Sequence, residues 1–280
     1  MIGGLLLAAV LVGTWNGNWF PSGRAEHRAH PDVEAATISS SARMLREGIQ
    51  SLDPTGSNDV ILCLHEMRGP HAAEELVRQI GRSGLRVVSV SGYRRRDRFD
   101  MQQDVIATTL PVVGSGWEKF APQGRETPPR GYSYATVVVS EGTTGTVYAV
   151  HLKSNYGAKT AEANELNRLK RTHSIVQILG DLSARRAQVA IVAGDFNADK
   201  WRKEFAAEKI FDLLENAGFD NVLARLPPDC RGTHPSRRHG DSALDYIMAR
   251  GLTPVGNPRL IPNEALSDHY ALFAVLKSQK

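Results

Sequence analysis

Along this chain, apolar runs of buried-strand length repeatedly meet an acid, an amide or an imidazole where they begin or end. The clearest is VAIVAGDFNAD, residues 189–199, which stops on Gly-Asp-Phe-Asn. If the strand continues through these residues, side chains two apart share a side, so Asp195 and Asn197 face one way and Phe196 the other. Taken alone, the quartet also reads as a turn, because Gly, Asp and Asn each favour turns. The pattern recurs at Asn16 after VLVGTW, Glu66 after VILCLH and His151 in YAVHLKSN. It recurs again at Asp245 in ALDYI and at Asp268-His269 just before ALFAVL. Burying all these polar groups without partners would cost several kcal/mol. Convergence on one polar site containing a cation avoids that cost.

The residue types define the cation. Glu66, Asp195 and Asp268, with the amides of Asn16 and Asn197, offer hard oxygen ligands. Such a set favours Mg²⁺, with Mn²⁺ as a substitute, over Zn²⁺, which prefers His and Cys. Mg²⁺ also uses few carboxylates, leaving other acids for proton chemistry.

At 280 residues the chain can bury a large core in a single domain. We assign that domain to residues 8–280, preceded by an apolar extension over 1–7. MIGGLLLAAVLVG resembles the hydrophobic part of a secretory signal, but it lacks the positive leader and a clean cleavage site. Most of it reads as the first core strand, and the compartment, cytoplasmic or exported, stays open. Two cysteines, Cys63 and Cys230, cannot make a disulfide framework. The balance is basic, 34 Lys and Arg against 30 Asp and Glu, which suits an anionic substrate.

After the first strand, Val33, Ala36, Leu45, Ile49 and Leu52 recur at helical spacing, closed by Asp53-Pro54. DVILCLHE, a helix over AAEELVRQI and the strand LRVVSVSGY complete an opening βαβαβ pattern, which predicts parallel neighbours. MQQDVIATTLPVV, GYSYATVVVS and TVYAVHLKS then read as strands, with a polar loop over GSGWEKFAPQGRETPPRG. A long helix from about Lys159 to Leu182 carries Leu166, Leu169, Ile175, Ile178 and Leu179. A helix through Phe205, Ile210, Leu213 and Leu214 follows, then the strands LDYIMAR and ALFAVLK. Parallel units followed by hairpins predict a mixed α/β sandwich.

TWNGNWF, VILCLHE, VHLKSN, GDFNAD, LDYI and SDHYAL together resemble, in order and rough spacing, the endonuclease/exonuclease/phosphatase superfamily. The resemblance covers about residues 8–277 and implies an α/β (α+β) fold, a four-layer αββα sandwich with two mixed sheets packed face to face. It also implies Mg²⁺-dependent phosphoester hydrolysis. Glu66, with Asn16 and Asp268, would hold the metal, and Asp195 would orient and deprotonate the attacking water. Asn197 would donate to the phosphate or position that water. His269, partnered by Asp245, would contact the phosphate or act as base, and His151 would contact the opposite side or protonate the leaving group. Asn18 and Asn155 are nearby alternatives for metal and substrate contact. One departure is Leu64-His65-Glu66 where the family usually has Leu-Gln-Glu; alternation sends His65 to the other face, as a packed or surface histidine.

Nucleic acid is the leading substrate on charge balance, with a phospholipid headgroup or small phosphoester as the rival; no obligate protein partner is implied. A non-catalytic binding module on the same fold is the alternative from another class. Arg94, Arg95, Arg96 and Arg98 in GYRRRDRF, Arg237 and Arg238 in PSRRHGDS, and Arg130 in TPPRG are candidate anion contacts or solvated surface.

Overall fold

The run DVILCLHEM shows how the layers arise. Val60, Leu62 and Leu64 join one buried cluster with Leu45, Ile49, Leu76 and Val77 from two helices. Ile61 and Cys63, alternating with them, join another with Tyr148, Ala149 and Ala193 from a second sheet. A strand apolar on both faces thus separates a helical layer from a facing sheet.

The computed structural model describes residues 9–278 apart from 24–28, 96–97, 100–101, 125, 141, 238–239 and 264, and the backbone alone at 95, 98 and 99. The extension expected over 1–7, and Arg96 and Arg238, lie outside the described residues. The first half of the chain begins with β1 (Val10–Phe20), α1 (Pro31–Leu52), β2 (Asp59–Met67), α2 (Pro70–Ile80) and β3 (Arg86–Val90). A short ribbon, β4 (Arg94–Arg95) and β5 (Arg98–Phe99), leads to β6 (Gln103–Thr108) and β7 (Val112–Lys119). The second half starts with β8 (Gly131–Ser140), β9 (Thr143–His151), α3 (Ala161–Arg185) and β10 (Val189–Asp195). It ends with α4 (Ile210–Asn216), β11 (Asp220–Asn221), β12 (Asp245–Arg250), β13 (Leu252–Ile261) and β14 (Ala271–Ser278).

Two six-stranded sheets result, ordered β13-β14-β1-β2-β6-β3 and β11-β12-β10-β9-β8-β7. Both are mixed: β1 and β2 are parallel, as are β9 and β10, and the other pairs are antiparallel. Helices α1 and α2 cover the first sheet, and α3 and α4 pack on the second. This is the expected αββα sandwich.

Several elements differ from the sequence-based expectation. β3 does not pair with β2, because β6 returns antiparallel between them. MQQDVIATTLPVV is two strands in different sheets, divided at Pro111, which has no N–H for a ladder. β7 continues into GSGWEK, expected as loop, and β13 was not anticipated. Both are edge strands, β7 largely exposed and β13 carrying Pro254 and Pro258, so neither shows the period of a half-buried strand.

In α3, Leu169 is exposed and the buried face begins with Asn167, Arg171 and Ser174 before Ile175, Ile178 and Leu182. Arg171 explains this polar half. Its Nε and Nη2 donate to Glu208 Oε2 at 2.9 and 2.6 Å, and its Nη1 donates to Lys153 O and Asn155 Oδ1. Glu208 lies between a single 3₁₀ turn (Lys203–Phe205) and α4, where the helix expected through Phe205, Ile210, Leu213 and Leu214 is broken. The pair pins the loop after β9. Arg171→Met strands a buried carboxylate and is expected to destabilise the fold by about 3–5 kcal/mol in urea unfolding. Arg171→Met with Glu208→Met should recover most of that loss; an equally unstable double variant refutes this account.

Candidate active site

The two sheets repeat one construction: a parallel pair with an antiparallel strand beside it. β14 flanks β1, and β12 flanks β10. The carboxyl ends of β1, β2, β9 and β10 therefore meet the amino ends of β12 and β14 at one edge. Register completes the alignment, with Asp195 opposite both His151 and Asp245, and Asn16 opposite His65.

Irregular backbone then aims the side chains. Between Leu64↔Val105 and Met67↔Gln103 the ladder shifts, so His65 and Glu66 together face Asp104 in a bulge. Glu66 takes a left-handed φ of 58° there. β1 shifts likewise between Asn16 and Phe20, with left-handed Asn18 and Trp19. Arg130 and Asn197 are also left-handed, so five of the six described non-glycine residues in this region lie in or directly behind the site. The sixth, Arg186, caps α3. Such backbone costs energy and persists only where its surroundings hold it.

Asn16 is the centre of the polar network. Its Nδ2 donates to Glu66 Oε1 at 3.2 Å and to Asp195 Oδ2 at 3.0 Å. Its Oδ1 accepts from Asn18 N–H, so Asn16 and not Asn18 turns inward. Glu66 Oε2 accepts from Trp19 N–H. His151 Nε2 lies 3.8 Å from Glu66 Oε1 and 3.6 Å from Asp195 Oδ2. His269 approaches from the other side, its Nε2 3.8 Å from Asp195 Oδ2 and its Nδ1 2.7 Å from Asp245 Oδ2. The six residues Asn16, Glu66, His151, Asp195, Asp245 and His269 are buried together.

Asp195 resolves the ambiguity of GDFN. One carboxylate oxygen accepts Asn197 N–H at 2.8 Å in an Asx turn, and the other faces Asn16 and both histidines. One oxygen thus serves the turn, and the other faces the polar cluster. The strand ends at Asp195, however, so alternation does not set the direction of Asn197. Its Nδ2 donates to Leu152 O at 3.2 Å.

The remaining expectations separate. Asp268 is half-exposed, with Oδ2 3.8 Å from His234 Nε2, and no hydrogen bond among the described residues joins it to Glu66. Asn155 serves Arg171. Arg130 donates to His151 O, Leu152 O and Gln102 Oε1, holding the end of β9 from behind. Arg94 is exposed, and the side chains of Arg95 and Arg98 are not described. Arg237 lines a cavity of about 370 Å³ with Ser236, Asp241, Ser267, Asp268 and Tyr270, beside the site. Sequence reasoning missed Ser267, which donates to Asn16 O and accepts His269 N–H, although it precedes Asp268-His269 directly. It also missed Thr233, whose Oγ1 accepts the Leu244 and Asp245 N–H groups and which no local pattern marks.

Burial gives the acids and bases unequal affinities for protons. Desolvation raises Asp195 to about 6, opposed by the nearby His269 and reinforced by Asp245. His151 is pushed well below its usual range by burial, then by Arg130, His65 and His269. Burial also disfavours His269 imidazolium, but Asp245, Asp195 and Asp268 more than offset it and hold the group at about 10. Burial therefore favours the neutral form of His151, and the surrounding acids favour the charged form of His269.

The site fits a divalent cation. Carboxylate oxygens of Glu66 and Asp195 lie together around the Asn16 amide, where their negative charge would attract a cation, and ligand atoms of Asp195, Asp245 and His269 lie within 4.8 Å of one another. Residues 13–269 match the model of the Endonuclease/Exonuclease/phosphatase family. The chain belongs to that family. Membership supports phosphoester hydrolysis as its class of activity, in a family that is generally metal-dependent.

Solved structures show the same fold at low identity. The endonuclease/exonuclease/phosphatase from Beutenbergia cavernae has a TM-score of 0.65 at 17% identity, over 97% of this chain and 72% of that one. Humanized D. rerio TDP2 gives 0.62 at 17%, over 96% and 99%. Sphingomyelinase C from Streptomyces griseocarneus gives 0.60 at 18%, over 95% and 99%. Among curated proteins, none matches this sequence.

The cause of the high His269 affinity is testable by imidazole NMR in EDTA. His269 should titrate near pH 10 in the native protein and fall toward the free value of about 6.5 in Asp245→Asn. Because folding raises this pKa, its contribution to stability is complete below about pH 6.5 and is lost as pH rises toward 10. An unchanged titration in Asp245→Asn refutes the assignment.

Proposed function

We propose that this protein is a Mg²⁺-dependent phosphodiesterase, nuclease-like, that hydrolyses its substrate by in-line attack of water. The observation that carries the reading is the buried convergence of Asn16, Glu66, Asp195, His151 and the His269–Asp245 pair on one point. Glu66 would hold the cation, with Asn16 Oδ1 and Asp268 Oδ2 turning to it from Asn18 N–H and His234, and the bound ion would neutralise charge on a phosphate oxygen and on the departing oxygen.

The chain's own groups divide the remaining work. Asp195, with its proton affinity raised to about 6, accepts a proton from water more readily than an exposed carboxylate. Its Asx turn fixes the carboxylate's direction. His269, charged and held by Asp245, donates from Nε2 to a phosphate oxygen and is no longer suited to act as base. His151, kept neutral, contributes a hydrogen bond from Nε2 in preference to protonating the leaving group. Asn197 positions the water or a phosphate oxygen.

Arg237 beside the site and the basic balance favour a nucleic-acid backbone. Tyr156, 95% exposed in the loop after His151, offers a ring on which a base would stack. The fold shared with sphingomyelinase C keeps a lipid headgroup as the second reading.

The test offers purified protein plasmid DNA, linear DNA, RNA, sphingomyelin and phosphoinositides in Mg²⁺, Mn²⁺ or EDTA. Metal-dependent cleavage of nucleic acid is expected, falling steeply with salt. Asp195→Ala and His269→Ala should lose at least about 10²-fold in turnover while keeping native circular dichroism. Headgroup release without nucleic-acid cleavage selects the second reading. Silence on every substrate favours a non-catalytic module, and near-native turnover in either variant removes that residue from the mechanism.

A further inference from the structure

His65 is where this chain departs from Leu-Gln-Glu, and the mechanism above does not use it. It is completely buried, as is Asp104 on β6. His65 Nδ1 lies 2.9 Å from Asp104 Oδ1, and its Nε2 lies 3.2 Å from Thr14 Oγ1 on β1. With a neutral ring, Nδ1–H donates to the carboxylate and the Thr14 hydroxyl donates to Nε2. Asp104 Oδ2 accepts from Tyr93 O–H at 3.1 Å. The Asp104 backbone is tied at both ends, its N–H donating to Ser91 Oγ and its carbonyl accepting from Ser133 Oγ on β8 of the facing sheet. Every polar atom of both side chains is therefore satisfied, and the ring has one orientation.

That ring also touches the second sheet. A Cβ placed on Gly194 would come within 2.7 Å of His65 Cε1 and 2.8 Å of Nε2, besides 1.9 Å from Val150 O. Gly194, at φ 148°, is bare because backbone and imidazole both press against it. His65 immediately precedes Glu66, and Gly194 immediately precedes Asp195. We propose that His65, fixed by Asp104, is a positioning residue, a rigid spacer between the sheets that sets the separation of the Glu66 and Asp195 carboxylates. The proposal takes its kinetic consequence from the hydrolase reading above, whereas its structural consequence is independent of it.

The ring does more than fill space, because an apolar filler would leave Asp104 Oδ1 without its imidazole partner in a dry interior. His65→Gln keeps a polar group with less rigidity, Asp104→Asn keeps the shape and removes the charge, and Tyr93→Phe releases one acceptor. Binding of Mn²⁺ alone, measured by electron paramagnetic resonance, should weaken about 10–100-fold in His65→Gln and Asp104→Asn. Turnover of bis(p-nitrophenyl) phosphate should lose about tenfold or more in kcat with KM unchanged, and Tyr93→Phe should show a smaller loss of the same kind.

Crystal structures of native and variant proteins decide the spacing itself. A shift in the Asn16 hydrogen bonds to Glu66 and Asp195 supports the proposal. Native-length bonds in His65→Gln and Asp104→Asn, with Mn²⁺ affinity within about twofold of the native protein, overturn it. If one variant does not fold, the other gives the same decision. If the native protein neither binds Mn²⁺ nor turns over the probe, the hydrolase reading fails, and the crystallographic comparison still judges the spacer.

Discussion

The structure depends on keeping two carboxylates, Glu66 and Asp195, in one buried pocket. Like charges at short range in a low-dielectric interior repel strongly, and each loses hydration as well. The protein meets this with donors: the Asn16 amide bonded to both, Trp19 N–H on Glu66, Asn197 N–H on Asp195, and imidazoles on either side. A set that stabilises negative charge without quenching it is also prepared to receive a cation and a phosphate.

The fold makes this crowding reproducible. A parallel pair in each sheet brings two carboxyl ends to the same edge, and face-to-face packing sets the two edges against each other. Regular strands alone would send His65 and Glu66 to opposite faces. His65 follows Ile61 and Cys63 by alternation into the space between the sheets, and the bulge opposite Asp104 with the left-handed backbone at Glu66 turns that carboxylate from the helical face to the site. Behind this front, Arg130 and the Arg171–Glu208 pair hold the end of β9 and the loop after it. Backbone strain at the edge is balanced by bonds behind it.

Much of this was legible in the amino-acid order. Apolar runs interrupted by Asn16, Glu66, His151, Asp195, Asp245 and His269 announced a shared polar site, because burial without convergence would be too costly. Edge strands were less visible, since β7 and β13 bury neither face fully and carry no strong period. Arg171 was hidden because helical periodicity looks for apolar residues, and its partner Glu208 lies in a different element. Thr233 acts through its hydroxyl on a distant backbone, which no local pattern records.

The sequence by itself determined the layered α/β class and the identity of the polar residues, because both follow from where apolar runs occur and what breaks them. Only tertiary structure decided that β6 separates β2 from β3, that Asp195 divides its oxygens between turn and site, and that Asp268 looks toward His234. It also decided that His65 is a packed residue spanning the sheets. These facts depend on register and on partners far apart along the chain, and a linear pattern carries neither.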